Sequence, residues 1–272
     1  MKKLFYLFSL AVALAGVFTS CQKVIDIDVN TSASQLVIEG NITNIRETQF
    51  IKISRSVAYS ASNVYPAVSG ATVQVSDNVG NTYRFNETAA GSGLYSFGPL
   101  RGVSGRTYTL RATIDGQVYT ATSVLPNPVR TDSLTLSKIT FGSNSRNIVS
   151  VNFNDPKNVA NQYRFIQYIN GKQVNRIYVI DDRLTDGNRI KQDLYFDDDD
   201  FETDKLETGD VARVEIQCID KPVFTYFFTF RQKSRGGPGG GTTPGNPPSN
   251  INNGALGYFS AHTYQTIEIK IP

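Results

Sequence analysis

Thr107-Tyr108-Thr109-Leu110-Arg111-Ala112-Thr113-Ile114-Asp115-Gly116, running on into Val118 to Val124, decides the fold class. Tyr108, Leu110, Ala112 and Ile114 alternate with Thr107, Thr109, Arg111 and Thr113, which is the period of a half-buried strand. Asp-Gly between two such runs supplies the positive φ that both central positions of a tight hairpin turn require. The stretch therefore predicts a β-hairpin. Upstream, Gln35 to Thr43 and Phe50 to Ser54 alternate more weakly, Val73 and Val75 share one face, and Tyr83 and Phe85 follow a turn at Asp77 to Asn81. With 14 Tyr, 16 Phe and no Trp, and with Thr, Val and Ile abundant, the composition favours strands over helices. Short strands at these intervals predict a β-sandwich over residues 35–125.

Gly70-Ala71-Thr72-Val73, Gly80-Asn81-Thr82-Tyr83, Gly93-Leu94-Tyr95 and Gly105-Arg106-Thr107-Tyr108 resemble a transthyretin-like module of the carboxypeptidase-regulatory type, with an immunoglobulin-like sandwich as the alternative. Leu125-Pro126-Asn127-Pro128 then interrupts the pattern, because two prolines cannot continue a central strand. The boundary of a second domain, 129–272, is placed there. In it, Ile148 to Phe153, Tyr163 to Ile169, Gln173 to Ile180, Lys191 to Phe196 and Val211 to Ile219 read as strands, with a second hairpin turn at Asn170-Gly171. Cys218 falls on the inward side of its strand. Asp220-Lys221-Pro222 changes the period: Asp caps a helix, Pro fits its first turn, and the aromatics that follow suit a helical face from Lys221 to about Lys233, with a strand as the competing reading because Phe224, Tyr226, Phe228 and Phe230 also alternate. Residues 236–253 are a glycine- and proline-rich loop, after which Ala255 to Phe259 and Thr266 to Ile271 return to strand chemistry. The second domain is thus expected to be a β-sandwich or barrel with one short helix and a long Gly/Pro loop.

The first residues set the address. Lys2 and Lys3 precede a mostly apolar run from Leu4 to Phe18, roughly fifteen residues and so shorter than the roughly twenty that a spanning helix needs. Phe18-Thr19-Ser20-Cys21 closes it with small residues before a cysteine, the pattern of a bacterial lipoprotein signal. Residues 1–20 then form the cleaved signal peptide, Cys21 carries the lipid with its fatty acyl chains (palmitate among them), and 21–34 form a tether. Removing Lys2 and Lys3 from the 27 basic side chains leaves 25 against 24 acidic ones. That balance, without any Lys/Arg cluster interleaved with aromatics, carries no nucleic-acid footprint. The expected place is the outer membrane, on its periplasmic face or at the cell surface.

Few residues advertise chemistry. His262 is the single histidine and no Gly-x-Ser-x-Gly elbow accompanies it, so it reads as a core or edge-strand residue. Asp181, Asp182 and Asp186, with the acidic run from Asp197 to Asp204, are candidate oxygen ligands for Ca²⁺, the one cofactor the sequence raises. The same carboxylates are the place where a glycan hydrolase would find its acid and base. For binding, the candidates are Asn250, Gly254, Leu256, Gly257 and Tyr258, where a stiff Asn-Pro-Pro segment ends, glycines allow close approach and an aromatic ring offers apolar area.

Cys21-Gln22-Lys23-Val24-Ile25-Asp26-Ile27-Asp28, Leu36-Val37-Ile38-Glu39-Gly40, Pro66-Ala67-Val68-Ser69-Gly70-Ala71, Asp181-Asp182-Arg183 and, most specifically, Asn246-Pro247-Pro248-Ser249-Asn250 followed by Gly254-Ala255-Leu256-Gly257-Tyr258-Phe259 resemble the DUF4249 lipoproteins of the Bacteroidota. That resemblance implies no catalytic residues. It implies an accessory lipoprotein beside a TonB-dependent outer-membrane transporter, acting by binding; a structural or adhesive surface protein is the further alternative.

Overall fold

The computed structural model of the chain describes residues 34–58, 64–141, 144–195, 206–234 and 245–272. The signal segment, Cys21 and its tether, the acidic run at 197–204 and residues 236–244 of the Gly/Pro loop lie outside the described residues.

Among the described residues, sixteen strands and one helix follow in order. The first group is β1 (Leu36–Thr43), β2 (Glu47–Arg55), β3 (Thr72–Asp77), β4 (Thr82–Glu87), β5 (Leu94–Leu100), β6 (Thr107–Ile114) and β7 (Gln117–Val124). The second is β8 (Thr131–Phe141), β9 (Asn144–Asn154), β10 (Gln162–Ile169), β11 (Lys172–Gln173), β12 (Tyr178–Asp181), β13 (Arg189–Leu194) and β14 (Val211–Ile219). Then come α1 (Lys221–Ser234), β15 (Leu256–His262) and β16 (Gln265–Lys270).

The quoted stretch forms the hairpin its pattern requires: β6 pairs with β7 from Thr107↔Val124 to Ile114↔Gln117. Asp115 and Gly116 take φ of 50° and 80° at the turn. Tyr108, Leu110, Ala112 and Ile114 are buried, each large one contributing roughly 1.5–3 kcal/mol by leaving water. Eight strands make one sheet in the order β15-β1-β2-β5-β4-β3-β6-β7. Its two four-stranded halves are joined narrowly, by Asn86↔Ser96 and Glu87↔Tyr95 between β4 and β5. They fold over a shared core that includes Ile38, Ile42, Ile51, Val75, Phe85, Leu110 and Phe259. The other edges, β7 and β15, come back together, so the sheet is nearly closed.

A second core begins at Val129. Here the layer β11-β10-β14-β16, with β12 also on β10, faces the layer β13-β9-β8. Val149, Val151 and Phe153 of β9 meet Tyr163, Phe165, Val214 and Ile216, and the Phe153 and Tyr163 rings cross edge to face at 4.7 Å between centroids. Cys218 is buried in this core as a free thiol, and burial pushes its pKa up.

The two cores separate at the proline segment, but the chain does not divide there as expected. Leu256–His262 leaves the second half and pairs in parallel with β1, from Val37↔Leu256 to Thr43↔His262. Ile251, Ala255, Phe259 and Ala261 belong to the first core. Residues 34–272 accordingly form one compact unit, not consecutive domains at 35–125 and 129–272.

The helix begins where its cap dictates. Asp220 Oδ1 accepts from the Val223 amide at 3.2 Å, and its carbonyl accepts from Phe224 at 2.9 Å. The second carboxylate oxygen accepts from Val124 at 2.9 Å, tying the helix start to the end of β7.

Candidate functional site

Of the five candidate binding residues, four build the closure of the first sheet. Asn250 Nδ2 donates to the Thr122 carbonyl at 3.2 Å and the Phe259 carbonyl at 2.7 Å, while its Oδ1 accepts from the Phe259 amide at 2.9 Å. One side chain thus stands in for a rung of ladder between β7 and β15. Asn252 and Asn253 continue along β7, to Thr120 N at 2.7 Å and Val118 O at 2.7 Å, and Ile251 bridges Ala121. Gly254, at φ 73°, turns the chain toward β15. Gly257, at φ 91°, lies so close to β1 that a Cβ would stand 2.1 Å from the Ile38 carbonyl oxygen. The close approach that this glycine permits is therefore of backbone to backbone. Leu256 is half-buried in the same strand.

Tyr258 is different. Phe259 turns fully inward, which sends Tyr258 out to a half-buried position beneath α1. Its ring lies 4.9 Å from Phe227 and 5.2 Å from Tyr226. Tyr226 stacks in turn on Phe230 at 6.3 Å with the planes 12° apart, and Phe224 on Phe228 at 5.4 Å. These are i, i+4 pairs, so the helix period itself makes two ladders of rings. The Arg164 guanidinium covers the Phe227 ring at 3.8 Å, fixing that ring from below. Burial, then the neighbouring Tyr258 and Glu39, push the Tyr226 hydroxyl up to about 12, so it remains a hydrogen-bond donor. Phe230 is 45 % exposed. Val223, Phe224, Phe227 and Phe228 after Asp220 signal the helical face in the sequence, and the competing strand does not form; the partnership with Tyr258 has no local signal.

The candidate metal carboxylates separate. Asp155, Asp182 and Asp186 bring ligand oxygens within 4.8 Å of one another, while Asp181 is held elsewhere by Arg183 at 2.6 Å and Lys221 at 3.5 Å. Asp155 replaces it because the turn after β9 packs on the turn after β12, a proximity that sequence spacing does not encode. Tyr163 Oη and the Gly187 amide donate to Asp155, Asn161 N to Asp182 at 2.6 Å, and Asn158 N to Asp186 at 2.8 Å. Burial and the Asp155 hydrogen bond raise the Tyr163 pKa. Four of the six carboxylate oxygens are therefore already stapling two loops together. Ca²⁺ takes roughly six to eight oxygens, so the cluster supplies part of a shell at most.

His262 is sealed. It is 3 % exposed, its Nδ1 lies 3.0 Å from Ser260 Oγ, and burial together with Arg164 lowers its pKa to about 3. A buried, neutral imidazole at the end of β15 has no route to a substrate proton.

Residues 22–268 match the family model described as Domain of unknown function (DUF4249). No curated protein matches the chain. With nearly its whole length covered by the model, the chain belongs to the DUF4249 family.

Proposed function

We propose that this chain is a lipid-anchored outer-membrane lipoprotein of the Bacteroidota whose body is a non-catalytic binding module serving a TonB-dependent transporter. The observation that carries the reading is the aromatic face of α1 and β15, where Tyr226 and Tyr258 are packed into a ring cluster yet only partly covered. Rigid aromatic area with hydroxyl donors, ordered in advance by its own ring contacts, is the composition of protein-interface hot spots. Among the described carboxylates, Asp155, Asp182 and Asp186 are engaged by backbone amides, which supports binding over hydrolysis. Cys21, after its short apolar leader, supplies the anchor, and the tether at 21–34 lets the body reach a membrane partner from either face of the outer membrane.

The test is co-purification from detergent-extracted outer membranes, comparing the wild type with Cys21→Ser and with the double variant Tyr226→Ser/Tyr258→Ala. Cys21→Ser should leave the fold intact and move the protein to the soluble fraction. The double variant should stay membrane-bound and lose a transporter that the wild type recovers. Undiminished recovery of that transporter by a folded double variant would sink the aromatic face as the contact.

A further inference from the structure

β12 is hydrogen-bonded to β10 on one side and β13 to β9 on one side, and among the described residues neither pairs with the other. The turn between them, 182–188, joins the two layers at this edge. Between the strands lies a cleft of about 630 Å³, within the roughly 300–1,000 Å³ of ligand sites, walled by Ile180, Asp181, Arg183, Thr185, Arg189 and Lys191 among others. Some strand carbonyls near it are taken up by side chains: Tyr178 Oη donates to Tyr195 O at 2.8 Å, Gln192 Nε2 to Asp193 O at 2.7 Å, and Arg231 Nη1 to Val179 O at 3.2 Å.

Among the described residues, the lining carries more positive than negative charge. Asp181 is spent on Arg183 and Lys221. Arg189 and Lys191 are exposed, stand at alternate positions on one face of β13, and form no ion pair among the described residues. Thr185 Oγ1, in the same wall, is buried without a hydrogen-bond partner.

We infer that the cleft receives a short extended segment of acidic peptide, laid along the free edge of β13. Backbone groups of the incoming segment continue the β13 ladder, and its alternate acidic side chains meet Arg189 and Lys191. Both the open strand edges and the spacing of the two cations favour a peptide over an acidic glycan, which has no ladder to offer. The site is separate from the aromatic face of α1 and stands or falls independently of it.

The test uses the full chain in detergent micelles and a fluorescent peptide of alternating glutamate and valine, read by anisotropy at low salt. Saturable binding is expected, weakened by at least about tenfold in R189E/K191E and by a similar factor when alternate peptide amides are N-methylated. A lysine-valine peptide should not bind, and Tyr226→Ser should leave the acidic peptide unaffected. Should the charge reversal compromise folding, Leu184→Cys labelled with a bulky maleimide gives the same reading, because Leu184 is 96 % exposed and Cys218 is buried. Loss of peptide binding on labelling supports the site. Equal binding of the N-methylated peptide, equal competition by polygalacturonate, or undiminished binding by the labelled variant each overturns it.

Discussion

At the seam between β7 and β15 the missing ladder is supplied by side chains, whereas between β12 and β13, among the described residues, no strand pairing or matching run of side-chain bonds takes its place. The seam is filled by Asn250, Asn252 and Asn253, short amides that donate and accept at fixed reach, so that backbone groups on two strands are satisfied without a further strand. The gap is walled by Arg189 and Lys191, long flexible cations that keep their own heads in water. Residue type thus separates an edge that is finished from an edge that is kept open. Lys and Arg on an exposed strand are also how proteins stop their own copies from pairing there, so the gap selects for a partner of opposite charge.

The largest effect is expected from Gly257→Ala. A methyl group at that position would overlap the Ile38 carbonyl and sit at a φ that L residues rarely adopt, so β15 must leave β1. A loss of about 3 kcal/mol or more, or failure to fold, should appear in urea denaturation. A variant within about 1 kcal/mol of wild type would show that the seam tolerates a shift of β15.

Next comes pH. The folded-state pKa of His262, about 3, lies below its ordinary 6.5, so the folded protein keeps the imidazole neutral while the unfolded chain protonates it. Its contribution is fully present above about pH 6.5 and is lost as pH falls from there toward 3, at up to about 1.4 kcal/mol per pH unit. His262→Gln should flatten the stability profile through that window relative to wild type. Parallel profiles for the two proteins would mean that the imidazole is not sealed in the folded state.

Asn250→Ala should cost about 2–3 kcal/mol, since three hydrogen bonds go and the Phe259 amide and carbonyl lose their partner. Asn250→Asp should recover only the bond accepted from the amide. At the gap, R189E/K191E should change stability by no more than about 0.5 kcal/mol, the usual range for exposed positions. A larger loss would make the two cations structural and erase the contrast with the seam.

Local chemistry was legible and distant pairing was not. Asp115-Gly116 and Asn170-Gly171 both turn with the positive φ their residue types predict, 50° and 80° in one, 49° and 81° in the other. The α1 cap at Asp220 and the inward Cys218 also follow from residues within a few positions of each other. By contrast, the pairing of β1 with β15 spans nearly the whole body, and no periodicity in either strand names its partner. Gly257 was conspicuous as a place of close approach, yet what approaches is β1. Asp155 joined the acidic cluster unannounced for the same reason: its neighbours Asp182 and Asp186 arrive through packing of one turn on another.

The parallel pairing of β1 with β15 also sets the order of assembly. An N-terminal sheet usually has all its strands soon after its own residues have been made, but here β1, with Ile38 and Ile42 at its core positions, keeps one edge uncovered until residue 262 is available. Closing so long a loop costs entropy before any contact rewards it, which raises contact order and slows folding. Throughout synthesis the half-made sheet therefore presents an unpaired edge eight residues long, Leu36–Thr43, that a passing strand of another chain can copy. A chain cut short anywhere before β15 is left in that condition permanently, and aggregation rather than a smaller folded body is its expected fate.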